Sequence, residues 1–198
     1  PKVFPHASPR RVSQLGFLVL FVALVVFVAA LDAGAGAEIV TWPMLLAGLG
    51  IGMLASQLGA VTVSSVPDEQ SGEVGGIQNT ASNLGLSIGT ALAGAVLISA
   101  LTSSFFAGIE SNPAVPDDLS SKAQTELTSG VPFISDADLE AALEDAGVSA
   151  TESAAIVDEN AQARLDALRA SLSVLAVLAL IALFLSRGLP TTPAVVEP

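Results

Sequence analysis

Four apolar stretches without a charged side chain dominate this sequence. They lie at about Val12–Leu31, Ile39–Pro67, Val74–Ile109 and Ala170–Ser186. A hydrocarbon core about 30 Å thick is crossed by about 20 helical residues. The sequence therefore predicts an all-α integral membrane protein with four transmembrane helices.

The composition agrees with a membrane protein. Only 13% of the residues are charged and the mean hydropathy is +0.69, whereas a soluble domain carries about 25% charged residues. The absence of cysteine excludes disulfides, thiolate catalysis and Cys-based metal sites.

Breaks in the apolar pattern divide the chain into five segments. These are a cytoplasmic loop at 1–11, three transmembrane helices within 12–109 (about 12–31, 43–66 and 76–101), an extracytoplasmic acidic loop with short helices at 110–149, a long helix at 150–188 that ends in the fourth transmembrane span, and a cytoplasmic tail at 189–198.

The acidic charge is concentrated before the last span. Residues 110–169 contain 13 acidic side chains against three basic ones, of a total net charge of −12, and the chain has no basic stripe that would bind nucleic acid. Between Asn112 and Gly147 the apolar residues look too few to build a core, so we expect a mobile cap. Ser149 and Glu152 form a capping-box pattern, and we expect one unbroken helix from there to about Ser186.

Basic residues near the first and last spans predict the orientation. Lys2, Arg10 and Arg11 precede the first span, and Arg187 follows the fourth. Because such residues favour the cytoplasmic side, we expect both termini in the cytoplasm and the acidic loop outside.

The third span is unusually polar for a helix in lipid. Asn79, Asn83 and Thr90 share one helical face, and Gln57 is an isolated amide in the second span. Buried amides in hydrocarbon are costly unless they are paired. These four residues are the candidates for a substrate cavity, although they also fit plain packing between helices. Candidate packing glycines follow the small-residue spacing of membrane helices: Gly48, Gly52, Gly85 and Gly89.

Motifs for chemistry are missing from the sequence. His6 is the only histidine, which leaves no catalytic triad and no histidine metal cluster. The acidic residues near 136–145 lack the ligand spacing of a calcium loop. We therefore expect neither enzyme activity nor a cofactor nor a metal site. The four stretches also contain no ionisable group, so a proton relay has to lie elsewhere in a longer chain.

Three motifs carry a resemblance to a known family. They are GLGIG at 48–52, VPDEQSGEVGGIQNTASNLG at 66–85 and IGTALAG at 88–94. Together with the long loop before the last helix, they resemble the C-terminal part of a major facilitator superfamily transporter of the bacterial 14-helix drug:proton antiporter branch, with an actinobacterial character. Ser82 stands where many members carry Arg, and Asn83 stands where Gln is common.

The resemblance implies a fold, partners and a location. The four spans match the last four of fourteen helices in a bacterial inner membrane, and the partners are the lipid bilayer, the remaining helices, a small-molecule substrate and protons. Half of a midplane site would then be absent from this chain.

Two functional hypotheses remain from the sequence. The first is a C-terminal fragment of an efflux transporter, which the Pro-rich start without Met favours. The second is a self-contained four-span membrane protein whose acidic segment binds a partner or senses a signal. A reading frame that extends upstream by about ten more apolar spans would separate them.

Overall fold

The computed structural model describes residues 8–32, 36, 38–63, 66–127 and 131–189, without the side chains of 58–60, 62, 63 and 68. Every regular element in this part of the chain is helical. The helices are α1 (Pro9–Ala30), α2 (Glu38–Val63), α3 (Ser71–Ser111), α4 (Asp117–Glu126), α5 (Asp136–Asp145) and α6 (Ala150–Leu185), with 3₁₀ turns at Asp68–Gln70 and Ser186–Gly188. Lys2 and His6 lie outside the described residues.

Four of these helices are long and apolar enough to cross a membrane: α1, α2, α3 and α6. This finding confirms the predicted all-helical class with four candidate membrane spans. The bounds of α6 also agree with the range in which the sequence placed one uninterrupted helix. At 1.5 Å per residue, its 36 residues extend about 54 Å.

Two helices begin or end away from the positions that the sequence indicated. Pro43 was expected in the first turn of the second span, but α2 begins at Glu38 and contains Pro43 in its second turn. Proline has no N–H, so the helix loses one backbone hydrogen bond to the carbonyl of Ile39. The third span was expected to end near Leu101, but α3 continues to Ser111. Gly108 lies within this extension, and the first proline after Leu101 is Pro113.

The chain divides into two compact units. Unit 1 comprises the described parts of 1–30, 36–91 and 172–198, and unit 2 comprises those of 31–35 and 92–171. Each contains segments that are distant in sequence.

In unit 1, α1 and α2 pack along each other and approach most closely at two glycines. A methyl group added at Gly50 would lie 2.9 Å from the backbone oxygen of Gly16 and 2.9 Å from the backbone nitrogen of Leu20. One added at Gly16 would lie 3.1 Å from the backbone oxygen of Gly50. The absence of Cβ atoms at these two positions therefore sets the distance between the helices, as is common in membrane bundles.

Unit 2 has a hydrophobic core. Its buried members are Leu101, Phe105, Ile109, Val115, Val131, Ile156, Ala163 and Ala167. Of the buried members, residues 112–147 supply Val115 and Val131, and partly buried side chains of the segment, such as Leu119 and Leu143, pack against the core. The other buried members come from α3 and α6, which the sequence treated as membrane spans or as a solvated helix. The expectation that this segment is a mobile cap stays a prediction.

Helix termini in unit 2 follow local sequence signals. The Ser135 hydroxyl accepts a hydrogen bond from the Asp138 N–H at the start of α5, and Gly147 after its end adopts a φ of +72°, which glycine tolerates without strain. At the start of α6, the Ser149 N–H donates to Glu152 Oε2 at 3.2 Å and the Glu152 N–H donates to Ser149 Oγ at 3.5 Å, so the capping box is formed.

A partly buried polar cluster joins α5 to α6 inside unit 2. The amide of Asn160, which is 1% exposed, donates to Asp136 Oδ1 at 3.2 Å. Arg164 donates to the same carboxylate oxygen at 2.7 Å and to the Ile134 carbonyl at 2.8 Å. The cluster fixes the start of α5, because Asp136 is its first residue.

We predict that Gly50→Ala destabilises unit 1, since its methyl group would meet two backbone atoms that cannot move without separating α1 from α2. The expected loss in unfolding free energy is about 1–3 kcal/mol, measured by denaturant titration of the purified chain in micelles with circular dichroism. Gly48→Ala is the control, because nothing lies within 4 Å of a Cβ there. Equal stability of the two variants would contradict the close approach at Gly50.

We also predict that Asn160→Leu destabilises unit 2 by about 0.5–1.5 kcal/mol, because the half-exposed Asp136 carboxylate loses the hydrogen bond from the buried Asn160 amide. Hydrogen exchange of the α5 amides should rise. Gln162→Leu, an exposed amide two residues along α6, is the control and should change neither quantity. An Asn160→Leu variant with unaltered exchange in α5 would show that the cluster does not hold this helix.

Candidate functional site on the third helix

The polar face of α3 carries Asn79, Asn83 and Thr90, together with the exposed Leu86. The spacing of four and seven residues keeps the three polar residues within about 40° of one another around a helix with 3.6 residues per turn. All three are exposed, and no described residue packs over them. The described residues therefore do not supply the protein surface that was expected to cover them.

The opposite face of the same turns is apolar. Ile77, Leu84 and Ile88 lie about 100–180° around the helix from the two asparagines and are 63%, 60% and 59% exposed. Both faces of α3 are solvent-exposed, so burial does not show which face contacts lipid, and the polarity of the side chains is the remaining guide. The apolar face suits hydrocarbon, and the polar face suits protein or water.

Hydrogen bonding along α3 separates the hydroxyl groups from the amides. Thr80 and Ser87 donate to the carbonyls four residues earlier, those of Gly76 and Asn83, at 3.0 and 2.9 Å. Such bonds within a helix satisfy a hydroxyl group without a partner helix.

The two asparagines do not satisfy each other fully. Asn83 donates one N–H to Asn79 Oδ1 at 3.4 Å, a long bond, and the other donors of the two amides meet no acceptor among the described residues. An amide has two donors and one acceptor oxygen. The pair is therefore able to bind a further helix, water or a polar ligand group.

Gln57 lies in a different place from the α3 face. Its side chain is 9% exposed and lines a cavity of about 680 Å³ between the start of α1, the end of α2 and the end of α6, all within unit 1. No residue of α3 lines this cavity. The structure therefore does not bring Gln57 together with Asn79, Asn83 and Thr90 in one pocket.

The four predicted packing glycines make no close approach to described residues. A Cβ added at Gly48, Gly52, Gly85 or Gly89 would meet nothing within 4 Å. Gly50, which lies between Gly48 and Gly52, is the glycine of α2 that faces α1. Packing of the four glycines on other helices stays a prediction.

Two serines in the cavity wall were not identified from the sequence. Ser13 and Ser186 are 5% exposed each and line the same cavity as Gln57. Each lies at the edge of an apolar stretch and belongs to no sequence motif. Only the three-dimensional structure therefore shows that these two serines line the cavity. Among the described residues, no group of three or more His, Asp or Glu side chains has the geometry of a metal site.

Comparisons with protein-family models, with curated proteins and with solved structures gave no match to this chain. The resemblance to the major facilitator superfamily therefore rests on the motifs at 48–52, 66–85 and 88–94 alone. The family and the transport function stay predictions.

Proposed function

We propose that this chain is the C-terminal part of a secondary active efflux transporter that exports small molecules by proton antiport. The observation that carries the proposal is the exposed polar face of α3. In a bilayer, Asn79 and Asn83 need partners that the described chain does not provide. Further helices and a water-filled path, which a transporter contains, would provide them.

The distribution of charge suggests that proton coupling and substrate contact would be carried out by different helices of such a transporter. None of the four charge-free stretches contains an acid, a lysine, an arginine or a histidine. Proton coupling in membranes uses ionisable groups within the spans. In this proposal these groups lie in the remaining helices, and α3 supplies neutral amide and hydroxyl groups that contact substrate or neighbouring helices.

The proposed topology places both termini in the cytoplasm of a bacterial cell. Arg10 and Arg11 lie in the first turn of α1, and Arg187 lies in the 3₁₀ turn after α6, so the arginines flank the first and last spans at the ends that the positive-inside rule assigns to the cytoplasm. The acidic loop at 110–149 would then lie on the outer side.

A second candidate function draws on unit 2. It has its own core and a cavity of about 300 Å³, lined mainly by apolar residues of α3 to α6 with Lys122 and Glu126 among them. This volume is at the lower end of the range for small-molecule pockets. The alternative is a self-contained four-span membrane protein that senses or binds a partner through unit 2.

We predict that Asn79→Leu combined with Asn83→Leu lowers efflux severalfold when introduced into the reading frame that contains this sequence. Interhelical hydrogen bonds in membranes contribute on the order of 1 kcal/mol each, and the substitutions remove every amide donor of the polar face. Efflux of a fluorescent cationic dye from energised cells, normalised to the amount of protein in the membrane, is the measurement.

Ser87→Ala is the matched control. Ser87 is also exposed on α3, but its hydroxyl bonds to the carbonyl of its own helix, so its loss leaves no amide unpaired. Normal efflux and expression of the double Asn variant would contradict a role for the polar face. A reading frame without further apolar spans upstream would favour the second candidate function.

A further inference from the structure

Unit 2 contains a cavity of about 300 Å³ whose wall is formed by residues of α3 to α6. Most of the lining is apolar and includes Phe105, Leu119, Leu143 and Ile156. Phe105 and Ile156 are also buried members of the core, and Leu119 and Leu143 pack against it. The wall is therefore part of the packed interior, and the volume, at the lower end of the range for ligand pockets, fits a small organic molecule.

Two charged side chains of α4 line the same cavity. Lys122 and Glu126 are the only charged residues of its described lining, and their spacing of four residues places them on one face of the helix. Both are exposed. They therefore lie where the apolar cavity meets water, with an ammonium and a carboxylate at its edge.

Neither charge is paired within the described part of the chain. No carboxylate lies within 4.0 Å of the Lys122 ammonium, and no basic group lies within 4.0 Å of the Glu126 carboxylate. Lysine before glutamate is the weaker order for an ion pair at this spacing. By contrast, Arg164 and Arg169, the other basic residues of 110–169, donate to carboxylates at 2.7 and 2.9 Å. Both charged groups at the cavity are thus available to a ligand.

The pair of opposite charges restricts the chemistry of the ligand. A ligand with only a carboxylate would suit Lys122 but would be repelled by Glu126, and a ligand with only an ammonium would meet the reverse. Residues 110–169 contain 13 acidic side chains, which add to the repulsion of a lone anion. A hydrophobic α-amino acid has both charged groups on one carbon and an apolar side chain beside them, so it matches the two charges and the cavity together.

We infer that the cavity of unit 2 binds a free α-amino acid with an apolar side chain. The carboxylate of the ligand accepts from the Lys122 ammonium, its ammonium donates to the Glu126 carboxylate, and its side chain lies in the apolar part of the cavity. Charge-assisted hydrogen bonds of this kind are the stronger ones in proteins. The site involves unit 2 alone and does not depend on the transport function; it gives a ligand class to the second candidate function.

Three fluorinated probes with the same aromatic ring separate the two charges: para-fluorophenylalanine, para-fluorophenethylamine and para-fluorophenylpropionate. The first carries both charged groups, the second lacks the carboxylate and the third lacks the ammonium. Fluorine NMR of each probe with the full chain in nanodiscs, with empty nanodiscs as the blank, measures the Kd. We expect the amino acid to bind about tenfold more tightly than either other probe, since a hydrogen bond to a charged group contributes about a factor of ten.

Two variants should each remove one half of this preference. Lys122→Gln removes the partner of the carboxylate, so para-fluorophenylalanine should bind about tenfold more weakly and no better than the amine. Glu126→Gln removes the partner of the ammonium, so the amino acid should bind no better than the propionate. Glu140→Gln is the matched control, because this exposed residue of α5 does not line the cavity, and it should leave all three Kd values unchanged.

Competition with natural amino acids tests the apolar part of the cavity. Leucine should displace para-fluorophenylalanine, whereas glycine, which has the same charged groups without a side chain, should not do so at the same concentration. Ala142→Phe, which places a ring in the cavity wall, should abolish binding of the amino acid probe while the circular dichroism spectrum keeps its helical content.

Four results would overturn the inference. Equal Kd values for the three probes on the unaltered chain would show that only the aromatic ring is recognised. Equal effects of Glu126→Gln and Glu140→Gln would show the general field of the acidic side chains in place of a site. Displacement by glycine as effective as that by leucine would exclude the cavity from the site. Absence of para-fluorophenylalanine binding at millimolar concentration would show that the cavity holds no amino acid.

Discussion

The free energy of placing unpaired polar groups in hydrocarbon is the constraint on which this structure depends. Backbone groups meet it by forming helices, and the hydroxyl groups of Thr80 and Ser87 meet it by bonding to carbonyls of their own helix. The amides of Asn79 and Asn83 are only partly paired, through one hydrogen bond between them. The exposed face of α3 is therefore the place where the chain requires something beyond itself, and the proposed function follows from that requirement.

Unit 1 and unit 2 handle polar side chains in different ways. In unit 2, Asn160, Asp136 and Arg164 form a mutually bonded cluster beside an apolar core, as in a soluble domain. In unit 1, Ser13 and Gln57 instead line a mostly apolar cavity, and the Gln57 amide donates one N–H to the adjacent Ser56 Oγ. The first arrangement connects two helices, whereas the second leaves the polar groups in a cavity wall.

The spans and the helix caps were predictable from the sequence because they depend on local patterns. Charge-free length identifies a span, and Ser149 with Glu152 identifies the start of α6. The close approach of α1 and α2 was not predictable. The spacing of Gly48 and Gly52 marks small residues, but the rotation of α2 decides that Gly50 is the one that meets α1. The core of unit 2 was missed for a similar reason, because it takes side chains from helices far apart in sequence.

Site-directed spin labelling of α3 tests most directly whether the polar face is covered or hydrated. These 198 residues contain no cysteine, so a single cysteine at position 83 or 88 carries the only label once any cysteine elsewhere in the intact polypeptide is replaced and the protein is reconstituted into bilayers. The account predicts frequent collisions with lipid-soluble oxygen for the label at Ile88. It predicts few for the label at Asn83, which is shielded by protein or reached by a water-soluble nickel complex. Equal, high oxygen collision rates at both positions would show that both faces of α3 meet lipid, which contradicts the account.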